Sequence, residues 1–183
     1  MQDKLKANVA KHERLEQFNA IVSEYEAALL RYAARLLGNS SAAEDVVQEA
    51  FIKLYRRWEG TLEPSAGLSA WLYRVVHNQA VDYIKKESRR SDAHQRHIEE
   101  HAVMSAPSRP GANRSAAETR LNVRDALEKL PLRERELVVL KIFENKSYKE
   151  ISEITGLTTG YVGNILHHAM KRLTEILKDT GAL

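Results

Sequence analysis

The sequence predicts an all-α protein made of two small helical domains joined by a flexible linker. Three observations lead there. Apolar residues recur at spacings of three and four, as amphipathic helices require, and no strand pattern survives alongside them. Helix start signals of the form Ser-x-x-Glu occur at Ser41, Ser115 and Ser147, each ahead of a helical segment. One polar stretch, residues 88–114, breaks the periodicity and holds two of the four prolines.

In the first helix Leu15, Phe18, Val22, Tyr25, Leu29, Tyr32 and Leu36 form a single apolar seam that stops at Gly38. Ser41 and Glu44 make a capping-box pattern for a second helix reaching about Trp58. The segment Glu59–Ser69, with two glycines and a proline, reads as a loop, and a third helix is expected from Ala70 to Glu87. The polar stretch after it reads as a tether with a brief helical turn around His97. Ser115 and Glu118 open a fourth helix ending near Leu130. Pro131 suits the first turn of a fifth, which carries Leu137, Leu140 and Phe143. Ser147 and Glu150 cap a short sixth helix, Gly156 breaks it, and Thr158 caps a longer last one. The expected units are 1–88, a linker 89–114, and 115–183.

Composition narrows the function classes. The 183 residues carry a formal net charge of +3 and 43% hydrophobic residues, enough for packed cores and mildly permissive of a nucleic-acid partner. There is no cysteine, which excludes a disulfide framework and thiolate metal sites. The N-terminus lacks the apolar core of a signal peptide, and no apolar run approaches the ~20 residues that span a bilayer. A cytoplasmic protein without membrane insertion is expected. No Gly-rich phosphate loop, triad or cofactor motif is present, so neither an enzyme nor a cofactor is expected.

The last two helices have the short helix, glycine turn, longer helix pattern of a helix-turn-helix. Residues 156–173 contain no acidic residue, although the preceding segments are rich in Glu. Val162, Leu166, Ala169 and Leu173 would bury one face, leaving Gly160, Asn164, His167, His168 and Lys171 outward. Phosphates line the major groove and repel carboxylates, so a groove-facing helix would lack them. An ordinary surface helix lacking acids by chance fits the same residues. His167 and His168 are adjacent and diverge on a helix. His97 and His101 are four apart, with His94 as a third candidate ligand, but the Glu spacing is wrong for a zinc-protease motif. No metal site is expected.

On the second helix Val47, Ala50, Phe51, Leu54 and Trp58 form the core face, and Asp45, Gln48, Glu49 and Arg56 lie opposite with Ile52 among them. An apolar residue inside a polar stripe fits a protein contact, though single exposed isoleucines are common. On the third helix Leu72, Val76, Gln79 and Tyr83 share one face. Trp71, Arg74, Asn78 and Lys85 fall roughly opposite, Arg89 continues the stripe, and Asp82 lies at its margin. Cations that hold phosphate, a ring that stacks and an amide that reads a base edge are what a nucleic-acid strand requires. A solvated basic face with Trp71 half-buried is the plainer alternative.

The segments "AAEDVVQEAFIKLYRRW", "LSAWLYRVVHNQAVDYIKKESRR" and "LEKLPLRERELVVLKIFENKSYKEISEITGLTTGYVGNILHHAMKRL" resemble, in this order, the extracytoplasmic-function sigma factors of the sigma-70 family. The resemblance runs from about Phe18 to Leu177. It implies a region 2 domain, then a region 4 domain. It implies that Asp45, Gln48, Glu49, Ile52 and Arg56 dock on the clamp helices of core RNA polymerase. It implies that the loop Glu59–Ser69 holds a flipped base of the −10 element, and it places Asn78 at the same DNA. With Asn78, the Trp71, Arg74, Lys85 and Arg89 stripe is the expected −10 surface. The last helix would read the −35 element as duplex, through Thr158, Tyr161, Asn164, His167, His168 and Lys171. A cognate anti-sigma factor is expected, and a monomeric state when free.

The recognition helix departs from the family pattern. Relatives often read G-T-V-R-S-R where this chain has "GYVGN", so Gly163 stands in place of an arginine, and His168 in place of a common basic residue. Arginine reads guanine bidentately, which puts a guanine-rich −35 preference in question. Gly160 and Gly163 each cost up to ~1 kcal/mol of helix propensity. Two rivals remain at this point. A dimeric helix-turn-helix regulator explains the second domain but not the third-helix stripe. A sigma mimic without DNA contacts would keep only the protein-facing surface.

Overall fold

The computed structural model describes residues 2–58, 62–99 and 123–179, with side chains for 11–58, 62–90 and 123–179. All its regular elements are helical. α1 spans Gln2–Leu37, α2 Ser40–Arg57 and α3 Ala66–Glu99. α4 is described over 123–128. α5, Leu132–Val138, runs directly into a π-helical turn, Val139–Phe143, followed by α6, Tyr148–Thr155, and α7, Thr159–Asp179.

α1, α2 and α3 pack against one another as a three-helix unit. Its core holds Leu29, Tyr32 and Leu36 from α1, Val47, Ala50, Phe51 and Leu54 from α2, and Leu72, Val76 and Ala80 from α3. Leu15 of the expected α1 seam is instead 49% exposed, although Arg14 beside it reaches the end of α2. α1 ends at Gly38, whose φ of 67° lies in the left-handed region. That backbone favours glycine; the Glu128 Oε1 that a Cβ would meet at 2.9 Å is the end of a flexible side chain that can move away. α2 is capped by Asn39, whose side chain accepts from Ala42 N at 3.1 Å, not by Ser41 as its box pattern implied. Asn39 comes first after the glycine turn, and its side chain satisfies an orphan amide of the first turn before Ser41 is reached.

α3 differs from expectation at both ends. Ser65 Oγ accepts from Leu68 N at 3.1 Å, and the helix starts at Ala66, four residues before the expected Ala70. It continues through Glu99, across the first part of the expected tether. Its buried face is also wider. Tyr73 and His77 are buried with Leu72, Val76 and Ala80, while the expected Gln79 and Tyr83 are only half-buried. The cause is a second packing partner, since α6 lies against α3 on the side that α1 and α2 leave open.

In the second unit α5 and α6 both pack on α7, burying Leu137, Leu140, Ile151, Ile154, Val162, Leu166 and Ala169. Pro131 sits at the N-cap of α5, one position ahead of the expected first turn, and its carbonyl accepts from Glu134 and Arg135. The π turn adds a residue per turn and rotates the chain beyond it. Phe143, expected in the core with Leu137 and Leu140, is 36% exposed under the Arg35 guanidinium, 4.7 Å from its ring. α6 has the expected capping box, with Ser147 and Glu150 satisfying each other's amides, and ends at Gly156 with φ of 75°. The expected Ser115–Glu118 box lies outside the described residues.

The two units form one continuous core. Across the junction Glu144 accepts from Arg35 Nη1 at 3.1 Å and from Tyr73 Oη at 2.9 Å. Arg124 donates to the Gly38 carbonyl. Tyr32 Oη and His77 Nδ1 are hydrogen-bonded at 2.9 Å. His77 Nε2 stands 3.8 Å from Glu136 Oε2, too far for a hydrogen bond. Glu136 pairs with Arg133 at 3.3 Å. Burial, aided by Arg133 and Lys85, lowers the His77 pKa from 6.5 to about 4, so the imidazole is neutral near neutral pH. Burial raises the Glu136 carboxyl, against the pull of Arg133.

His77 therefore makes stability depend on pH. Its folded pKa lies below its unfolded value, so the unfolded state takes up the proton first as pH falls, and stability is lost from the unfolded pKa of 6.5 down to about 4. Glu136, shifted upward, has the opposite slope, so the His77 contribution is isolated by comparison with a His77→Gln variant. The stability advantage of wild type over that variant should shrink by about 2 kcal/mol between about pH 7 and about pH 5. Urea unfolding of both proteins at the two pH values measures this. An unchanged difference would mean that His77 takes up its proton in the fold as readily as in the unfolded chain.

Candidate nucleic-acid interface

α2 buries Val46, Val47, Ala50, Phe51 and Leu54 at helical spacing, which fixes what its outer face presents. Asp45, Gln48, Glu49, Ile52 and Arg56 are all exposed there, as the sequence places them. Ile52 is 37% exposed among these polar neighbours. Glu49 and Lys53 are 4.0 Å apart across one turn. Tyr55, one turn beyond Ile52, is also exposed, and sequence reasoning missed it. Its ring packs edge-on to Phe18 at 5.2 Å and lies under the Arg14 guanidinium at 4.9 Å. Arg14 also donates to the Tyr55 and Trp58 carbonyls at the end of α2. The i, i+3 spacing from Ile52 was the available signal.

On α3, Asn78, Lys85 and Arg89 are exposed along one stripe and Trp71 is half-buried against the core. Asp82 is exposed in the same stripe. Arg89 Nε donates to the Lys85 carbonyl at 3.1 Å, within the same helix. Arg74 departs from the group. Its Nε donates at 2.8 Å to the carbonyl of Glu153 in α6, so the second unit occupies it. Trp71, Asn78, Lys85 and Arg89 thus share a solvent-facing surface, and Arg74 joins the junction instead. Of the loop Glu59–Ser69, residues 59–61 lie outside the described residues.

α7 stands on the turn made by Gly156 and Thr158. The Thr158 hydroxyl accepts from Tyr161 N at 3.3 Å, the expected cap. Ser152 Oγ donates to the Leu157 carbonyl and pins the turn to α6. With Val162, Leu166 and Ala169 buried, Thr158, Tyr161, Asn164, His167, His168 and Lys171 are all exposed. The His167 and His168 rings meet edge-on with centroids 5.5 Å apart. Arg172, at the helix flank, pairs with Glu134 of α5 at 3.2 Å. The carboxylates of α7 itself, on Glu175 and Asp179, lie in its last turns, away from the exposed N-terminal half.

Among the described residues no group of His, Asp or Glu is placed to hold a metal ion. The candidates His94 and His97 lie where side chains are outside the described residues, and His101 lies beyond α3. No described helix is long and apolar enough to cross a membrane.

Comparison with known proteins identifies both units. The family model for Sigma-70 region 2 matches residues 21–90, and the model for Sigma-70, region 4 matches residues 120–173. The ECF RNA polymerase sigma factor SigW of Bacillus subtilis is 31% identical over 170 residues, covering 90% of each chain. The RNA polymerase sigma-E factor of Streptomyces coelicolor is 32% identical over 163 residues, covering 88% of this chain and 86% of the relative. Among solved structures, the sigma factor RpoE of Bartonella quintana, in complex with the anti-sigma factor NepR, shares the fold. Its TM-score is 0.67 at 24% identity, over 88% of this chain and 96% of that one.

Proposed function

We propose how this chain, which belongs to the extracytoplasmic-function sigma factors of the sigma-70 family, divides its surface among its partners. The chain is a transcription initiation factor. It joins core RNA polymerase, directs it to the −10 and −35 elements of promoters and assists melting. The observation that carries this reading is the pairing of a region 2 unit with a region 4 helix-turn-helix in one chain. A plain helix-turn-helix regulator leaves the first unit unexplained, and a sigma mimic leaves the acid-free α7 face unexplained.

The polymerase contact is assigned to Asp45, Gln48, Glu49, Ile52 and Arg56 on α2. In support, Ile52 offers apolar area for burial inside a charged ring, the arrangement of a protein interface with a polar rim. The opened −10 strand is assigned to Trp71, Asn78, Lys85 and Arg89, with Arg74 available once it leaves Glu153. Melting is then capture, in which binding of an unstacked base lowers the free energy of the open state relative to duplex. The −35 duplex is assigned to Thr158, Tyr161, Asn164, His167, His168 and Lys171. The domains are then region 2 over 1–88 and region 4 over 115–183. An anti-sigma factor is a further proposed partner, by analogy with the RpoE–NepR complex. The proposed setting is the cytoplasm, where the polymerase and promoters are, and no catalytic step is assigned to the chain.

Three outcomes test this division. Ile52→Glu should weaken association with core polymerase by about tenfold, on the order of 1–2 kcal/mol, while thermal melting is unchanged. Normal pull-down by the folded variant would remove α2 from the interface. Asn78→Ala should reduce permanganate reactivity of the −10 element more than it reduces polymerase binding, and equal melting by wild type and variant would make the stripe a solvated surface. On α7, Lys171→Ala should weaken all −35 sequences alike and lower the salt slope by about one unit, whereas Asn164→Ala should relax preference at one position by ~1–3 kcal/mol. Binding to duplexes at several salt concentrations separates the two, and identical slopes and preferences would place α7 outside the groove.

A further inference from the structure

Gly163 leaves bare backbone on the first turns of α7, and the structure shows what fills the space beside it. A Cβ at Gly163 would lie 3.4 Å from Cε2 and 3.9 Å from Cδ2 of Tyr148, the first residue of α6. The Tyr148 backbone is fixed by the Ser147–Glu150 capping box next to it, with amide bonds of 2.8 and 3.2 Å. The Lys141 ammonium stands 5.4 Å from the ring centroid. The ring is therefore positioned between the π turn, α6 and α7 and yet 44% exposed. Its hydroxyl makes no hydrogen bond among the described residues. On α7 itself Tyr161 is 54% exposed, and a Cβ at Gly160 would meet open space.

From this placement we infer that Tyr148 is a specificity-determining residue for the −35 duplex, supplying from α6 the base contact that residue 163 of α7 cannot make. The inference rests on the assignment of α7 to the −35 major groove. The nearest side chain to a Cβ at Gly163 is the Tyr148 ring, which fills the flank of α7 where a longer side chain would stand. An aromatic edge discriminates bases by contact with the thymine methyl group, and a phenolic hydroxyl donates to phosphate. The expected preference is thus for thymine, where an arginine would have demanded guanine. The two residues work as a couple. A Cβ at 3.4 Å is ordinary contact, so Gly163→Ala leaves the ring in place, whereas the long side chain of Gly163→Arg competes with the ring for the same position.

Selection from a randomised −35 library by polymerase reconstituted with each full-length variant tests this. Tyr148→Ala and Tyr148→Leu should lose preference at one base pair by about tenfold, with the other positions selected as in wild type. Tyr148→Phe should keep the preference and bind all sequences a few-fold more weakly. Gly163→Ala should select the wild-type sequence, and Gly163→Arg should change it at the position that Tyr148→Leu relaxes. If Tyr148→Ala and Tyr148→Leu both select the wild-type sequence while Asn164→Ala does not, α7 is docked but Tyr148 is not a reader, and the inference falls alone. If wild type itself enriches no −35 sequence, the docking of α7 falls and the inference with it.

Discussion

At the junction of the two helical units the Glu144 side chain is only 4% exposed and takes its hydrogen bonds from Arg35 and Tyr73, one on α1 and the other on α3. A carboxylate this far from water requires such donors, and removing one partner of a buried charged group costs about 3–5 kcal/mol. The backbone that delivers Glu144 is itself unusual. The π turn Val139–Phe143 rotates the chain end toward the first unit, and Asn145, with φ of 50°, turns it toward the Ser147 cap of α6. The position of the helix-turn-helix against α3 thus depends on a few residues between α5 and α6.

That position decides what the first unit can offer. With α6 lying on α3, Arg74 gives its Nε–H to the Glu153 carbonyl, and His77 is buried against Tyr32. Further along the helix, Asn78, Asp82, Lys85 and Arg89 stay open to solvent. Deleting one member of the junction strands a buried charge, and separating the units would also expose the apolar core they share.

The exposed faces of α2 and α7 differ in chemistry, as the partners proposed for them do. On α2 carboxylates, an amide and a cation surround one isoleucine, a mixture that suits another protein. On α7 the exposed N-terminal half carries hydroxyl, amide, imidazole and ammonium groups and no carboxylate. DNA presents one negative charge per ~1.7 Å of duplex, so a single acid there would act against every phosphate nearby. The Glu134–Arg172 pair keeps the nearby carboxylate of α5 neutralised at the flank of that helix.

The sequence by itself determined the all-α class, the order of the helices and the outward faces of α2 and α7. These depend on helical period and on caps made by neighbours in the chain, such as Ser147 with Glu150, Thr158 with Tyr161, and Gly156 as the break. Local geometry suffices for all of them. Where two local caps competed, as Asn39 and Ser41 did, the pattern alone chose wrongly. Only the tertiary structure decided which residues a second packing partner covers. Period alone cannot show that α3 is buried on two sides, so His77 and Tyr73 were assigned to neither face and Arg74 fell in the exposed stripe. Nor can it show the π turn that exposes Phe143, or the Tyr148 ring against Gly163, since these residues meet through a fold that brings positions distant in the chain within contact of one another.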